Sequence, residues 1–310
     1  MKICSLVPGA TEVIAALGRQ GDLVGISHEC DYPPSLARIP VMVRPRIESH
    51  RLSSSQIDEQ VGSLLSAGTG LYELDEAQLL AARPDLVIAQ DLCDVCAITP
   101  SQLDHVVRSL SPAPCMVTLN PRRLEDILRD IEVLGAALGQ EAAGKQFSAE
   151  LRTRMNAIRA KVASDHIRPK VACLEWLAPL YTAGHWVPDM VAAAGGLDVL
   201  ATAGTASRKV NWDTLSAASP DVIVLMPCGF TVERTRAELA TLTEQPQWKS
   251  LPAVQTGAVF LVDALAYFSR PGPRLIDGLE QLAAIFHPAH FDHHLPPAVE
   301  RLDQRTARLR

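Results

Sequence analysis

Aromatic side chains are scarce in this chain, 5% of 310 residues, so those that fall on loops at the rim of a fold carry information about a ligand. Positive charge is not in excess either: 29 basic against 35 acidic residues give a formal net charge of -6, which argues against a nucleic-acid or anionic-membrane surface. No apolar run approaches the roughly 18 uninterrupted residues of a membrane span, because Pro, Gly or a charge punctuates each candidate. The opening Met1-Lys2-Ile3-Cys4-Ser5-Leu6-Val7-Pro8 lacks the apolar core of about 7 to 15 residues that a secretory leader carries. A cytoplasmic protein is expected. Its seven cysteines, an odd number in a large chain, are then thiols or metal ligands. Gly-x-Ser-x-Gly, Walker and Gly-x-Gly-x-x-Gly signatures are all missing, and Pro8-Gly9-Ala10-Thr11 is too short to cradle a phosphate chain. Nucleophilic catalysis has little support.

Short apolar runs recur at long intervals: Ile3 to Val7, Leu23 to Ile26, Val41 to Val43, Leu86 to Ala89 and Met116 to Leu119. Amphipathic helical patterns lie between them, as in Ser55 to Leu65 and Leu124 to Leu138. Continuous apolar strands alternating with helices predict an α/β fold with mostly parallel sheets covered on both faces. Residues 1–138 read as an N-terminal α/β lobe, 139–165 as one long exposed bridging helix, 166–286 as a second α/β lobe and 287–310 as a loose tail. In that tail His287, His290, His293 and His294 read as solvated. The two lobes rhyme, Ala82-Arg83-Pro84-Asp85-Leu86-Val87-Ile88 against Ala218-Ser219-Pro220-Asp221-Val222-Ile223-Val224. After each strand comes a loop with a cysteine, Cys93 in one and Cys228 in the other, which places a ligand cleft between the carboxyl ends of two sheets.

The stretches Ser5-Leu6-Val7-Pro8-Gly9-Ala10-Thr11-Glu12, Leu23-Val24-Gly25-Ile26-Ser27, Asp31-Tyr32-Pro33 and Pro84-Asp85-Leu86-Val87-Ile88 resemble the first lobe of the helical-backbone substrate-binding proteins of ABC importers, on their cobalamin-binding side. In the second lobe Ser219-Pro220-Asp221-Val222-Ile223-Val224 and Tyr267-Phe268-Ser269-Arg270-Pro271-Gly272-Pro273-Arg274 are similar too. The resemblance covers about residues 1–286. It implies two lobes bridged by a rigid helix, little hinge motion, and a corrinoid- or siderophore-sized cleft with Phe268 and Arg270 on its wall. The chain departs from the pattern at Ala77, where the resemblance places an acidic docking residue, with Glu76 beside it, and this puts docking to an ABC importer in doubt. It departs again in having His28-Glu29-Cys30-Asp31 and Cys93-Asp94-Val95-Cys96 near the cleft.

The ligand-lining set is therefore read as Pro8, His28, Glu29, Cys30, Tyr32, Arg44, Gln90 and Cys93 from the first lobe, with Glu175, Trp176, Trp186, Cys228, Phe230, Phe268 and Arg270 from the second. Trp186 can equally be a core residue, and Arg44 or Arg46 a solvated one. Imidazole and thiolate suit zinc or an iron-sulfur cluster, so His28, Cys30, Cys93 and Cys96 form a candidate metal set. The same cysteines can instead pack or line the ligand site. The expected function is non-enzymatic binding of a small molecule, a cobalamin-like corrinoid or similar metal chelate. The alternative is a metal- or iron-sulfur-dependent enzyme using that set.

Overall fold

The computed structural model describes residues 1–92, 100–165, 167–291 and 293–303. In the first lobe, strands β1 (Ile3–Ser5), β2 (Leu23–Ser27), β3 (Val41–Pro45), β4 (Tyr72–Leu74), β5 (Leu86–Gln90) and β6 (Cys115–Leu119) form one sheet in the order β4-β3-β2-β1-β5-β6. All its pairings are parallel except β3 with β4. Helices α1 (Pro8–Ala16), α2 (Ser54–Ser66), α3 (Glu76–Ala82), α4 (Pro100–Ser109) and α5 (Leu124–Ala137) accompany it, and α6 (Glu141–Val162) leads away. The second sheet runs β12-β11-β10-β7-β8, from β7 (Lys170–Leu177), β8 (Leu180–Thr182), β10 (Val222–Leu225), β11 (Val259–Val262) and β12 (Val299–Arg301), while β9 (Leu197–Asp198) pairs with the start of β7. Its helices are α7 (Val187–Ala193), α8 (Trp212–Ala218), α9 (Val232–Ala237), α10 (Ala240–Thr243), α11 (Pro252–Thr256), α12 (Ala264–Tyr267) and α13 (Leu275–Phe286).

The apolar runs become strands because both faces of each sheet are covered. Successive side chains point to opposite faces, so Leu86 and Ile88 enter a central apolar cluster while Val87 and Ala89 enter an outer one. Val222 and Val224 divide from Ile223 and Leu225 in the same way. The repeated Pro-Asp also has a structural cause. Arg83 and Ser219 end their helices in left-handed conformation, φ 46° and 47°. The next aspartate then pins the start of the neighbouring strand. Asp85 accepts the Lys2 amide at 2.6 Å and donates its own to the Lys2 carbonyl at 2.8 Å, and Asp221 does the same to Lys170 at 2.8 and 2.8 Å.

The bridging helix is not simply exposed. Gly144, Ser148, Leu151, Met155, Ile158 and Val162 form a buried stripe at alternating spacings of four and three. Close approach to α5 requires glycine on both sides, since a Cβ at Gly135 would lie 2.7 Å from the Gly144 Cα. Arg154 on α6 then donates to Asp277 and Glu280 of α13 at 2.7 and 3.0 Å. A single apolar cluster consequently runs from Val7 and Ile88 through Leu128, Leu151 and Ile158 to Val171 and Leu279. The stretch expected to be a loose tail is structured in part. Val299 to Arg301 pairs antiparallel with β11, and His287 and His290 both reach the Asp165 carboxylate, at 2.5 and 2.8 Å.

Candidate functional site

Residues that follow β1 and β2 in the first lobe meet residues that follow β11 in the second, and the end of β7 meets α2, along one seam. After β1 the chain turns directly into α1. Thr11 of α1 donates to Ser5 Oγ at 2.8 Å and lies 3.1 Å from Cys30 Sγ, tying the end of β1 to the loop after β2. Pro8 starts α1 half-buried. Its neighbour Gly9 is where the lobes touch backbone to backbone: a Cβ there would lie 1.9 Å from the Pro271 carbonyl oxygen.

Two ion pairs flank that contact. Arg270, 6% exposed, donates to Asp31 with both terminal nitrogens, the Nη2 bond measuring 3.1 Å, and Nη2 also reaches Glu29 at 3.2 Å. Arg274 donates to buried Glu12 at 2.6 Å, with its guanidinium over the Tyr32 ring at 4.3 Å. Burial raises the Glu12 carboxyl above the usual carboxylate range, and Arg274 only partly offsets this. Glu29 moves the other way: burial pushes it up, but the His28 hydrogen bond and Arg270 outweigh that and hold it below the usual range. His28 lies 3.3 Å from Glu29 through Nε2 and 3.2 Å from the Val43 carbonyl through Nδ1.

A second set of contacts straps α2 across the seam. Glu238 accepts the Ser54 amide at 2.8 Å, Trp176 donates through Nε1 to the Ser54 carbonyl at 3.0 Å, and Tyr181 and Lys209 both donate to Asp58 at 3.1 Å. Arg234 donates to the carbonyls of His50 and Leu52 and pairs with Glu238 at 2.9 Å. Trp176 meets the edge of Phe230 at 5.3 Å between centroids, and the Arg234 guanidinium lies 4.9 Å over Phe230. A third seam contact lies behind, where Arg123 grips Asp189 of α7 with two bonds of 2.7 and 2.6 Å.

The structure thus gathers His28, Glu29, Tyr32, Trp176, Phe230 and Arg270 at one seam. Glu175 and Cys228 sit together at the end of β7, the Cys228 amide donating to the Glu175 carbonyl at 3.0 Å. Gln90 is buried at the end of β5, whereas Arg44 is exposed. Other residues fall elsewhere than the rim. Trp186 and Phe268 belong to the apolar cluster, joined by the Trp186 Nε1 bond to the Phe268 carbonyl at 2.9 Å, so they shape the wall from behind. Cys30 is buried, its thiol pushed up to about 11 by burial. Cys93 and Cys96 lie outside the described residues. Among the described residues no group of three or more His, Cys, Asp or Glu is placed to hold a metal ion. The strap residues Ser54, Asp58, Arg234 and Glu238 were not anticipated, because their partners across the seam are more than 120 positions away.

Two lobes of this construction, joined by one long helix, have counterparts among known proteins. A sequence profile described as "Periplasmic binding protein" matches residues 3–266. The chain belongs to that family. Within it, the Vitamin B12-binding protein of Vibrio cholerae serotype O1 is 25% identical over 283 residues, covering 91% of this chain and 87% of the relative. Among solved structures, the periplasmic heme-binding protein RhuT from Roseiflexus sp. RS-1, in apo form, superposes with a TM-score of 0.70 at 23% identity, covering 93% of this chain and 98% of the other. The periplasmic Vitamin B12 binding protein BtuF of Vibrio cholerae gives 0.66 at 22%, covering 93% and 97%. These two likenesses establish the shared fold, two helix-flanked α/β lobes. The family is one of non-enzymatic ligand binding.

Proposed function

We propose that this protein binds a cobalamin-like corrinoid, or a closely similar metal-chelate macrocycle, between its lobes. The observation that carries the reading is that Arg270 of the second lobe meets Glu29 and Asp31 of the first across the seam, with the half-buried Trp176 ring, backed by buried Phe230, on the second lobe's side of it. Flat apolar rings suit a macrocycle's face and polar loop groups suit its periphery. The B12-binding relative, which spans nearly the whole chain, supports the same reading. A reducing, cytoplasmic setting belongs to the proposal, supported by the thiols of Cys4, Cys30 and Cys173, which lie buried in the apolar interior. Equilibrium dialysis of the purified protein against cyanocobalamin and against haem tests the function, with saturable uptake of one equivalent expected. Retention of neither ligand refutes it. Recovery of the native protein from a periplasmic fraction refutes the setting.

A further inference from the structure

We infer that the seam selects a macrocycle whose periphery carries amides and rejects one that presents carboxylates, because the chain's own acids already occupy Arg270. This rests on the macrocycle reading above. Family likenesses include heme-binding and B12-binding proteins alike, and the two ligands differ most in edge chemistry. Haem ends in two propionates, whereas the corrin ring is edged mainly by amides.

Arg270 is the one buried arginine or lysine among the described residues, so it is the natural partner for a ligand carboxylate at this seam. Its two terminal nitrogens are already committed to Asp31 and Glu29, both from the first lobe. Exposure is divided unequally within the trio: the Arg270 side chain is 6% exposed, Glu29 40% and Asp31 54%. What the trio offers to a visitor is therefore carboxylate oxygen, an acceptor, and not guanidinium N–H. Beside it Arg274 is spent on Glu12, so two guanidiniums stand against three carboxyl groups. A propionate placed here meets like charge and can take over the terminal nitrogens of Arg270 only by displacing Asp31 or Glu29. An amide N–H instead finds the outer lone pairs of Asp31 and Glu29 waiting.

The test is a binding series with three probes: cyanocobalamin, its monocarboxylic acid made by hydrolysing one propionamide, and haem. The wild-type protein is expected to hold cyanocobalamin at least about tenfold more tightly than either carboxylate-bearing probe. In Asp31→Asn and in the double variant with Glu29→Gln, Arg270 is released and the carboxylate acceptors are lost, so haem should tighten by about five- to tenfold while cyanocobalamin weakens. Melting curves confirm that the variants are folded. Equal wild-type affinity for haem and cyanocobalamin overturns the inference and leaves the macrocycle reading standing, and so does a haem affinity unmoved in the double variant. Failure of the wild-type protein to retain any probe overturns both.

Discussion

Replacing Gly9 with alanine probes the point where the lobes meet without side chains. The new Cβ would lie 1.9 Å from the Pro271 oxygen, 2.5 Å from its carbonyl carbon and 2.9 Å from the Gly272 nitrogen, and none of these is a flexible chain end. To restore even 3.0 Å, the opposing backbone must retreat by about 1.1 Å (3.0 minus 1.9). It cannot retreat alone, because Arg270 and Arg274 on the same turn are tied to Asp31 and Glu12. Overpacking costs about 1–3 kcal/mol, and loosening charge-assisted bonds adds about 1 or more, so a loss near 3 kcal/mol is expected. For a chain of this size that lowers Tm by about 4–5 °C. Calorimetry should show it beside a control, Gly62→Ala on the open face of α2, where a Cβ meets nothing within 4 Å. There alanine should raise stability by about 0.5–1 kcal/mol through helix propensity. A Gly9→Ala protein melting within about a degree of wild type would refute the rigid-contact argument.

Three further outcomes are expected. Trp176→Phe keeps the ring but removes the bond to the Ser54 carbonyl, worth about 1 kcal/mol, so amides at residues 54–58 should exchange faster, and unchanged protection there would count against the strap. Burial raises the Asp198 carboxyl to about 6 against backbone N–H bonds from Leu200 and Ala201 that favour ionisation. Because the folded state holds this proton more tightly than the unfolded one, the contribution to stability is present at low pH and is lost as pH rises from about 4 to about 6. Asp198→Asn should flatten that part of the Tm–pH curve, and a parallel curve would exclude Asp198 as its source. Thiol labelling at mild alkaline pH, mapped by mass spectrometry, should reach exposed Cys115 and Cys228 well before buried Cys4 and Cys30, which burial lifts to about 12 and 11. Equal labelling of Cys30 and Cys228 would contradict the burial.

Local physics made the frame readable from sequence. An apolar run such as Leu86 to Ala89 has few ways to be buried on two faces, and the repeated Pro-Asp marks the same strand entry in both lobes. The bridging helix was legible in extent, but its buried stripe depends on two partners, α5 and α13, that no local pattern names. The same limit governs the site. His28, Glu29 and Trp176 could be placed because each directly follows or ends a strand. Trp186 and Phe268 could not, since a scarce aromatic near a loop looks alike whether it faces ligand or core, and only their mutual bond decides it. The β12 pairing was hidden behind Pro296-Pro297, which read as the end of structure.

The strap of α2 sets a clock on the site. For a ligand that settles on Trp176, the chain's own Ser54 carbonyl is there first, held in turn by Glu238, Arg234, Tyr181 and Lys209. Encounter by diffusion is then followed by a unimolecular opening, and the observed association rate should level off with ligand concentration at the frequency with which those bonds release together. A site that competes with its own strap would admit a ligand only as fast as the strap lets go, however abundant that ligand is.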